Sequence, residues 1–292
     1  MRRFRTYHEV DAGDRSRVPE QVSEQRTRLE QRLAAVGAVV VIASGKGGVG
    51  KSAITANLAA ALARRGAATG ALDADLNGPS LGRMLGVSGQ RLIDAESGVQ
   101  PAVGACGVRV MTAELLQGDA GAPLRWRGPP DDASLWQGIA EFGMLREFLS
   151  DVAWDGLDFL LIDAPPGTDR IRRLLDLVPR PDLCLLVTTP AEIVRFVVGR
   201  SARLLADAGV RNVALVANMM TESDPPGGGA VPALAQETGL PLWASIPWDL
   251  RLARSTDQGV PCVLAEPDSP SARCFSSLAE RVMEAAGSRT AP

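Results

Sequence analysis

"AVVVIASGKGGVGKSAITANLAAALARRG", residues 38–66, decides the fold. It opens with an unbroken apolar run, passes through a glycine-rich loop and closes as an alanine-rich helical stretch ended by Gly66. That order is buried strand, tight turn, helix. Gly45, Gly50, Lys51 and Ser52 meet the spacing G-x-x-x-x-G-K-[ST] of a phosphate-binding loop. The glycines let successive backbone N–H groups converge on phosphate oxygens, and the helix N-terminus adds its positive end. The segment Gly45, Lys46, Gly47, Gly48, Val49, Gly50, Lys51 and Ser52 is therefore expected to cradle a nucleotide, with Lys51 on the β- and γ-phosphates and the Ser52 hydroxyl on Mg²⁺. Lys46 and Lys51 are the only lysines in the chain; every other strongly basic side chain is arginine. A compact ammonium fits where backbone and phosphate nearly touch, and a planar guanidinium does not.

Further along, the pattern repeats. "ATGALDAD" and "VRVMTA" read as the next strands, then "LDFLLIDAPPG", "DLCLLVTTP", "NVALVANM" and the short "PLWASIP". Helical stretches lie between them, 191–207 among them, and 269–285 is a closing helix. Apolar strands alternating with helices specify an α/β fold: a single doubly wound, mostly parallel sheet with helices on both faces. Residues 20–36 carry Val22, Leu29, Leu33 and Val36 at helical spacing. The expected organisation is a flexible N-terminal extension with one helix over 1–37, an ATPase domain over 38–285 and a tail over 286–292. Residues 113–135 read as a long surface loop. Ligands in such sheets gather at the carboxyl ends of the strands. Asp73, Asp75 and Asp163 stand there, Asp163 as a candidate Mg²⁺ ligand, and Gly167 of "PPG" offers a backbone N–H to the γ-phosphate.

Composition narrows the function. The 292 residues are 46% hydrophobic and 22% charged, as in ordinary globular chains, and the formal net charge is −3. That charge supplies no general basic field for nucleic acid. There is no apolar run of membrane-spanning length and no secretory signal pattern, so a cytoplasmic protein is expected. The single histidine, His8, leaves no material for a histidine-based zinc site or a Ser-His-Asp triad. The four cysteines, Cys106, Cys184, Cys262 and Cys274, contain no CxxC.

The loop "GKGGVGKS" carries a lysine at its second position as well as its seventh. In this it resembles the deviant Walker A ATPases, the group of MinD, ParA, the nitrogenase iron protein and the arsenite pump ATPase. Within that group the chain is similar to the Mrp/ApbC iron–sulfur cluster carriers. The likeness runs through "LDADLNGPSLGRMLG", "WRGP" (Trp126 to Pro129), "LDFLLIDAPPGTDR", "VTTPAEIV", "VANM", "IPWD" and "AEPDSPSARCF", in that order, over residues 38 to about 285. The resemblance implies slow ATP hydrolysis in a homodimer, with Lys46 reaching the partner's nucleotide and Asp75 positioning the attacking water. It also implies that Asn218 and the loop around Asp249 meet the adenine.

Three departures stand out. The family commonly carries CxxC shortly after its "NM" motif, where two such pairs hold one cluster between subunits; here "ANMMTESDPPGGG" has no cysteine. The usual threonine after Ser52 is Ala53, and "WRGP" is followed by the longer "PDDASLWQGIAEFGM". Cys262 and Cys274 are the only cysteine pair near each other in sequence, and so the candidate thiolates for a [4Fe–4S] cluster. Two readings stay open. One is an ATP-dependent iron–sulfur carrier with an apoprotein client. The other is an ATP-gated switch that docks a partner without a cluster; on that count no stable stoichiometric cluster is expected. A membrane-cycling role is disfavoured, because "SSLAERVMEAAGS" lacks the large apolar and basic faces of an interfacial anchor.

Overall fold

The computed structural model describes residues 18–116, 133–222 and 229–287. The elements are α1 (Val18–Ala34), β1 (Ala38–Ala43), α2 (Lys51–Arg64), β2 (Thr69–Asp73), α3 (Leu81–Met84), β3 (Ile93–Ala95), β4 (Gly98–Gln100), β5 (Ala102–Val103) and β6 (Arg109–Met111). They continue with α4 (Ala133–Ser150), β7 (Phe159–Asp163), α5 (Thr168–Leu177), β8 (Leu183–Thr188), α6 (Glu192–Asp207), β9 (Val213–Met220), α7 (Ala230–Thr238), β10 (Leu242–Pro247), α8 (Leu250–Asp257), α9 (Cys262–Ala265) and α10 (Pro270–Gly287).

Eight strands form one sheet in the order β10-β9-β8-β1-β7-β2-β6-β5. Every pairing is parallel except the antiparallel edge pair β5–β6. β1, β2, β7 and β8 are buried at every position. A strand buried on both faces needs helices on both faces, and this is why these stretches read as continuous apolar runs and not alternating ones. The doubly wound, mostly parallel architecture expected from the sequence is the one present. The chain runs from β1 through α2 to β2, which lies two places away because β7 inserts between them. The loops leaving β1, β2 and β7 therefore meet at one crevice above their carboxyl ends.

α1 packs on α4, and its Leu29 belongs to the core. α10 lies against α2 and β10. The loop expected over 113–135 is corrected at both ends: Ala113–Leu116 is a 3-10 turn, and α4 has begun by Ala133. α4 is apolar on most of its circumference, so it carries little amphipathic period to announce it. The hairpin β3–β4 has only three residues per strand, too short for an alternation to show. The flexibility expected of the first residues, and the "WRGP" stretch, lie outside the described residues. The closing helix runs to Gly287, past the expected boundary at 285. Among the described residues no helix is long and apolar enough to cross a membrane.

Candidate active site

The loop between β1 and α2 is held from three sides. Gly48 and Gly50 have φ of 77° and 88°, in the left-handed region open to glycine. A Cβ on Gly45 would come within 2.6 Å of the Val197 carbonyl oxygen on α6, and one on Gly50 would collide with the Asn218 side-chain amide. Those two glycines mark where neighbouring elements press against the loop. Asn218 donates from Nδ2 to the Val49 carbonyl (2.9 Å), and the Ser44 hydroxyl donates to the Lys46 carbonyl (2.6 Å). The Gly167 N–H points at the Ser44 carbonyl at 3.5 Å.

Gly50 precedes α2 without a side-chain cap, and the first turn of α2 has no acid. Its free N–H groups and helix dipole face the loop, ready for an anion. Lys51 opens the helix and is buried, whereas Lys46 is exposed. The two lysines of the loop thus face different environments, one inward and one to solvent.

Asp73 and Asp163 are partners in register on β2 and β7. The Asp73 carboxylate accepts from the backbone N–H groups of Ser80 (2.9 Å), Leu81 (2.9 Å) and Asp75 (3.1 Å), knotting the loop that leads to α3. Asp163 is 1% exposed, and neither carboxylate oxygen has a hydrogen-bond partner among the described residues. Burial raises both carboxyls above the ordinary range. The neighbouring Asp163 pushes Asp73 further up, and the Ser52 hydroxyl and the Lys51 ammonium partly offset the rise at Asp163. The Ser52 and Thr55 hydroxyls lie beside Asp163 and both lower its carboxyl, while the Thr55 hydroxyl donates to the Lys51 carbonyl (3.0 Å). A buried carboxylate of this kind, beside a lysine and a serine at a helix N-terminus, fits a hard divalent cation with oxygen ligands.

Asp75 projects from the next loop and lies 3.9 Å from Arg170 of α5. Two residues on, Asn77 donates to Glu141 Oε1 of α4 (2.8 Å), and Gln137 donates both to that oxygen (2.8 Å) and to Asn77 Oδ1 (3.1 Å). Sequence reasoning missed Arg170, Gln137 and Glu141. The i, i+4 spacing of Gln137 and Glu141 was the one signal available, but only the fold shows that this face meets Asn77.

On the other side of Gly50 a cavity of about 220 Å³ is lined by Ala53, Met84, Asn218, Met219, Trp248, Asp249 and Thr256, among others. Asp249 caps α8, accepting from the Arg251 backbone (3.0 Å) and guanidinium (3.0 Å) and from the Ser271 hydroxyl (3.1 Å). Burial alone would raise its carboxyl, but the Arg251 and Ser271 bonds outweigh that and hold it below the usual range. Met219 sits at φ 58°, a conformation that costs a non-glycine residue. The pocket is largely apolar and reaches the phosphate loop at Gly50, a combination that suits a purine base.

The cysteines do not gather. Cys262 is fully buried, its sulfur 3.4 Å from the Ser269 hydroxyl. Cys274 is partly buried, its thiol raised chiefly by burial, and it donates to the Ser245 carbonyl (3.4 Å). Cys184 is sealed in β8, where burial pushes its thiol up to about 12. Cys106 is exposed. No group of three or more His, Cys, Asp or Glu among the described residues is arranged to hold a metal.

A doubly wound sheet with this loop at the carboxyl end of β1 defines a P-loop nucleotide-binding protein. The profile of the family described as "ParA: NUBPL iron-transfer P-loop NTPase" matches residues 35–283, and the chain belongs to that family. It is 32% identical over 281 residues to an iron-sulfur cluster carrier protein of Saccharolobus solfataricus, covering 93% of this chain and 91% of the relative. It is 37% identical over 264 residues to the cytosolic Fe-S cluster assembly factor NUBP2 of Bos taurus, covering 86% and 94%. Among solved structures it is similar to a nucleotide-binding protein in complex with ADP from Archaeoglobus fulgidus, with a TM-score of 0.68, 29% identity and coverage of 86% and 96%. The cell division ATPase MinD of Pyrococcus furiosus gives a TM-score of 0.63 at 27% identity, covering 85% and 99%.

Proposed function

We propose that the chain binds MgATP, hydrolyses it slowly as a homodimer, and uses the cycle to load and release an iron–sulfur cluster as cargo for an apoprotein client. The observation that carries this is the unpartnered carboxylate of Asp163 beside Lys51 and Ser52, at the uncapped start of α2. Lys51 and the loop N–H groups bind the phosphates. Ser52 and Asp163 would hold Mg²⁺, which when bound draws charge from the phosphate oxygens. Asp75 orients a water whose oxygen attacks the γ-phosphorus, and the bond to the β–γ bridging oxygen breaks to leave ADP. The exposed Lys46 reaches the partner's nucleotide, and the adenine takes the Asn218–Asp249 pocket. Lys51→Ala is expected to lower turnover by about 10²–10³-fold; undiminished hydrolysis in that variant would sink the assignment.

Family membership supports the carrier reading over a cluster-free switch. The described thiols offer little for a permanent cluster, which favours labile cargo. Cys274 is the partly exposed thiol near the carboxyl end of β10, and two copies would contribute two such sulfurs. Anaerobic reconstitution with iron and sulfide is expected to give substoichiometric, chelator-labile iron that falls further in Cys274→Ser. A stoichiometric [4Fe–4S] signal by Mössbauer spectroscopy would refute the lability, and no iron uptake at all would return the docking switch.

A further inference from the structure

Two side chains at the cavity beside Gly50 stand out. Trp248 follows β10, lines the cavity and is 65% exposed, so its indole is not filled in by the protein's own packing. Met219 lines the same cavity from β9, at φ 58°. Backbone strain of this kind persists where the surroundings impose it, and it clusters at ligand clamps. The Met219 Cε lies by the phosphate loop, 3.8 Å from where a Cβ on Gly50 would stand. One hydrogen bond joins the two segments: the Trp248 N–H donates to the Met220 carbonyl (2.7 Å). The ends of β9 and β10 are thus tied together, with a thioether and an indole at one cavity.

The polar groups around them are already engaged. Asp249 is held by Arg251 and Ser271, the Thr256 hydroxyl donates to the Leu252 carbonyl, and Asn218 Nδ2 donates to the Val49 carbonyl. Asp257 stands exposed at the rim. What is left to tell one base from another is chiefly polarisable surface. Every base has a face that stacks on an aromatic ring, and stacking strength then sets the preference. A two-ring base covers more of that surface than a one-ring base.

We propose that Trp248 and Met219 form a clamp on the base that selects purine over pyrimidine nucleotides, with Asp249 shaping the loop and not reading the base. The clamp rests on the reading of this cavity as the base pocket of the proposed nucleotide site.

The test titrates ADP and CDP into the full chain by calorimetry, with tryptophan emission followed in parallel. The parent is expected to hold ADP about tenfold more tightly than CDP, or better, and its emission should change as ADP binds. Trp248→Ala should weaken ADP about tenfold and CDP much less, so that the ratio narrows. Trp248→Phe should keep most of the ratio and lose the emission change. Met219→Gly, free to take a positive φ, should weaken ADP by about two- to tenfold with Tm not lowered, which a purely structural role would not give. Equal affinity for ADP and CDP in the parent, or a ratio that Trp248→Ala leaves unchanged, would overturn the clamp and leave the phosphate loop assignment intact. Binding of neither diphosphate by the parent would instead end the nucleotide assignment, and the clamp with it.

Discussion

Asp73 and Asp163 lie side by side at the ends of neighbouring strands, equally buried, and the chain treats them in opposite ways. Asp73 receives three backbone N–H groups. Asp163 receives no hydrogen bond from the described residues. The first is a scaffold: its charge is used up in closing a turn. The second is kept short of partners, an arrangement that stability alone opposes. In a parallel sheet an acid at a strand's carboxyl end is not a site by position; an unspent carboxylate is what points to one.

Substitution separates the two. Asp163→Asn is expected to remove Mg²⁺-dependent hydrolysis, by about 10²-fold or more, with stability in urea within about 1 kcal/mol of the parent, since no bond is lost. Asp73→Asn should do the reverse: a loss of about 1–3 kcal/mol with detectable turnover in the folded fraction. If Asp163→Asn unfolds the protein and Asp73→Asn does not, the contrast is misread. Next in size is the pair of loop lysines. Mixing Lys46→Ala and Asp75→Ala subunits should restore a fraction of the activity that each variant lacks alone, because one nucleotide in a mixed dimer then sees both intact groups. No recovery in verified heterodimers would remove Lys46 from the partner's site. The smallest effect is expected at Glu141. Glu141→Gln keeps the acceptor for Asn77 and Gln137 and should be near neutral. Glu141→Ala should lower kcat by a few-fold at unchanged KM, as a loosened Asp75 loop requires; equal kinetics in both variants would show that the loop needs no such support.

The parts legible in the sequence were those with a short-range signature. Strands buried on both faces show as apolar runs, and "GKGGVGKS" carries its own spacing rule. Asp163 stood out as a candidate because it ends such a run. What escaped depended on distant pieces meeting. Arg170 reaches Asp75 across 95 positions of the chain. Gln137 and Glu141 sit on a helix with little amphipathic period, just past the stretch that looked like loop. Cys262 and Cys274 looked like a pair because they are near in sequence, yet α9 buries one against Ser269 while the other turns to β10. Proximity along the chain says nothing about the direction in which a side chain leaves its helix.

The place of β7 has a consequence for how the chain is made. β1 is flanked by β7 and β8, and β2 by β7 and β6, so neither early strand pairs with the other. β7 follows β1 by about 115 residues. At about 5–20 residues per second, β1 waits roughly 6–23 s on the ribosome with both edges unpaired. β7 is the keystone of the nascent sheet: until it emerges, β1 and β2 lack the neighbour they share. The site matures on the same schedule: Asp163 is the last residue of that strand, so its unpartnered carboxylate takes its place in the step that closes the sheet.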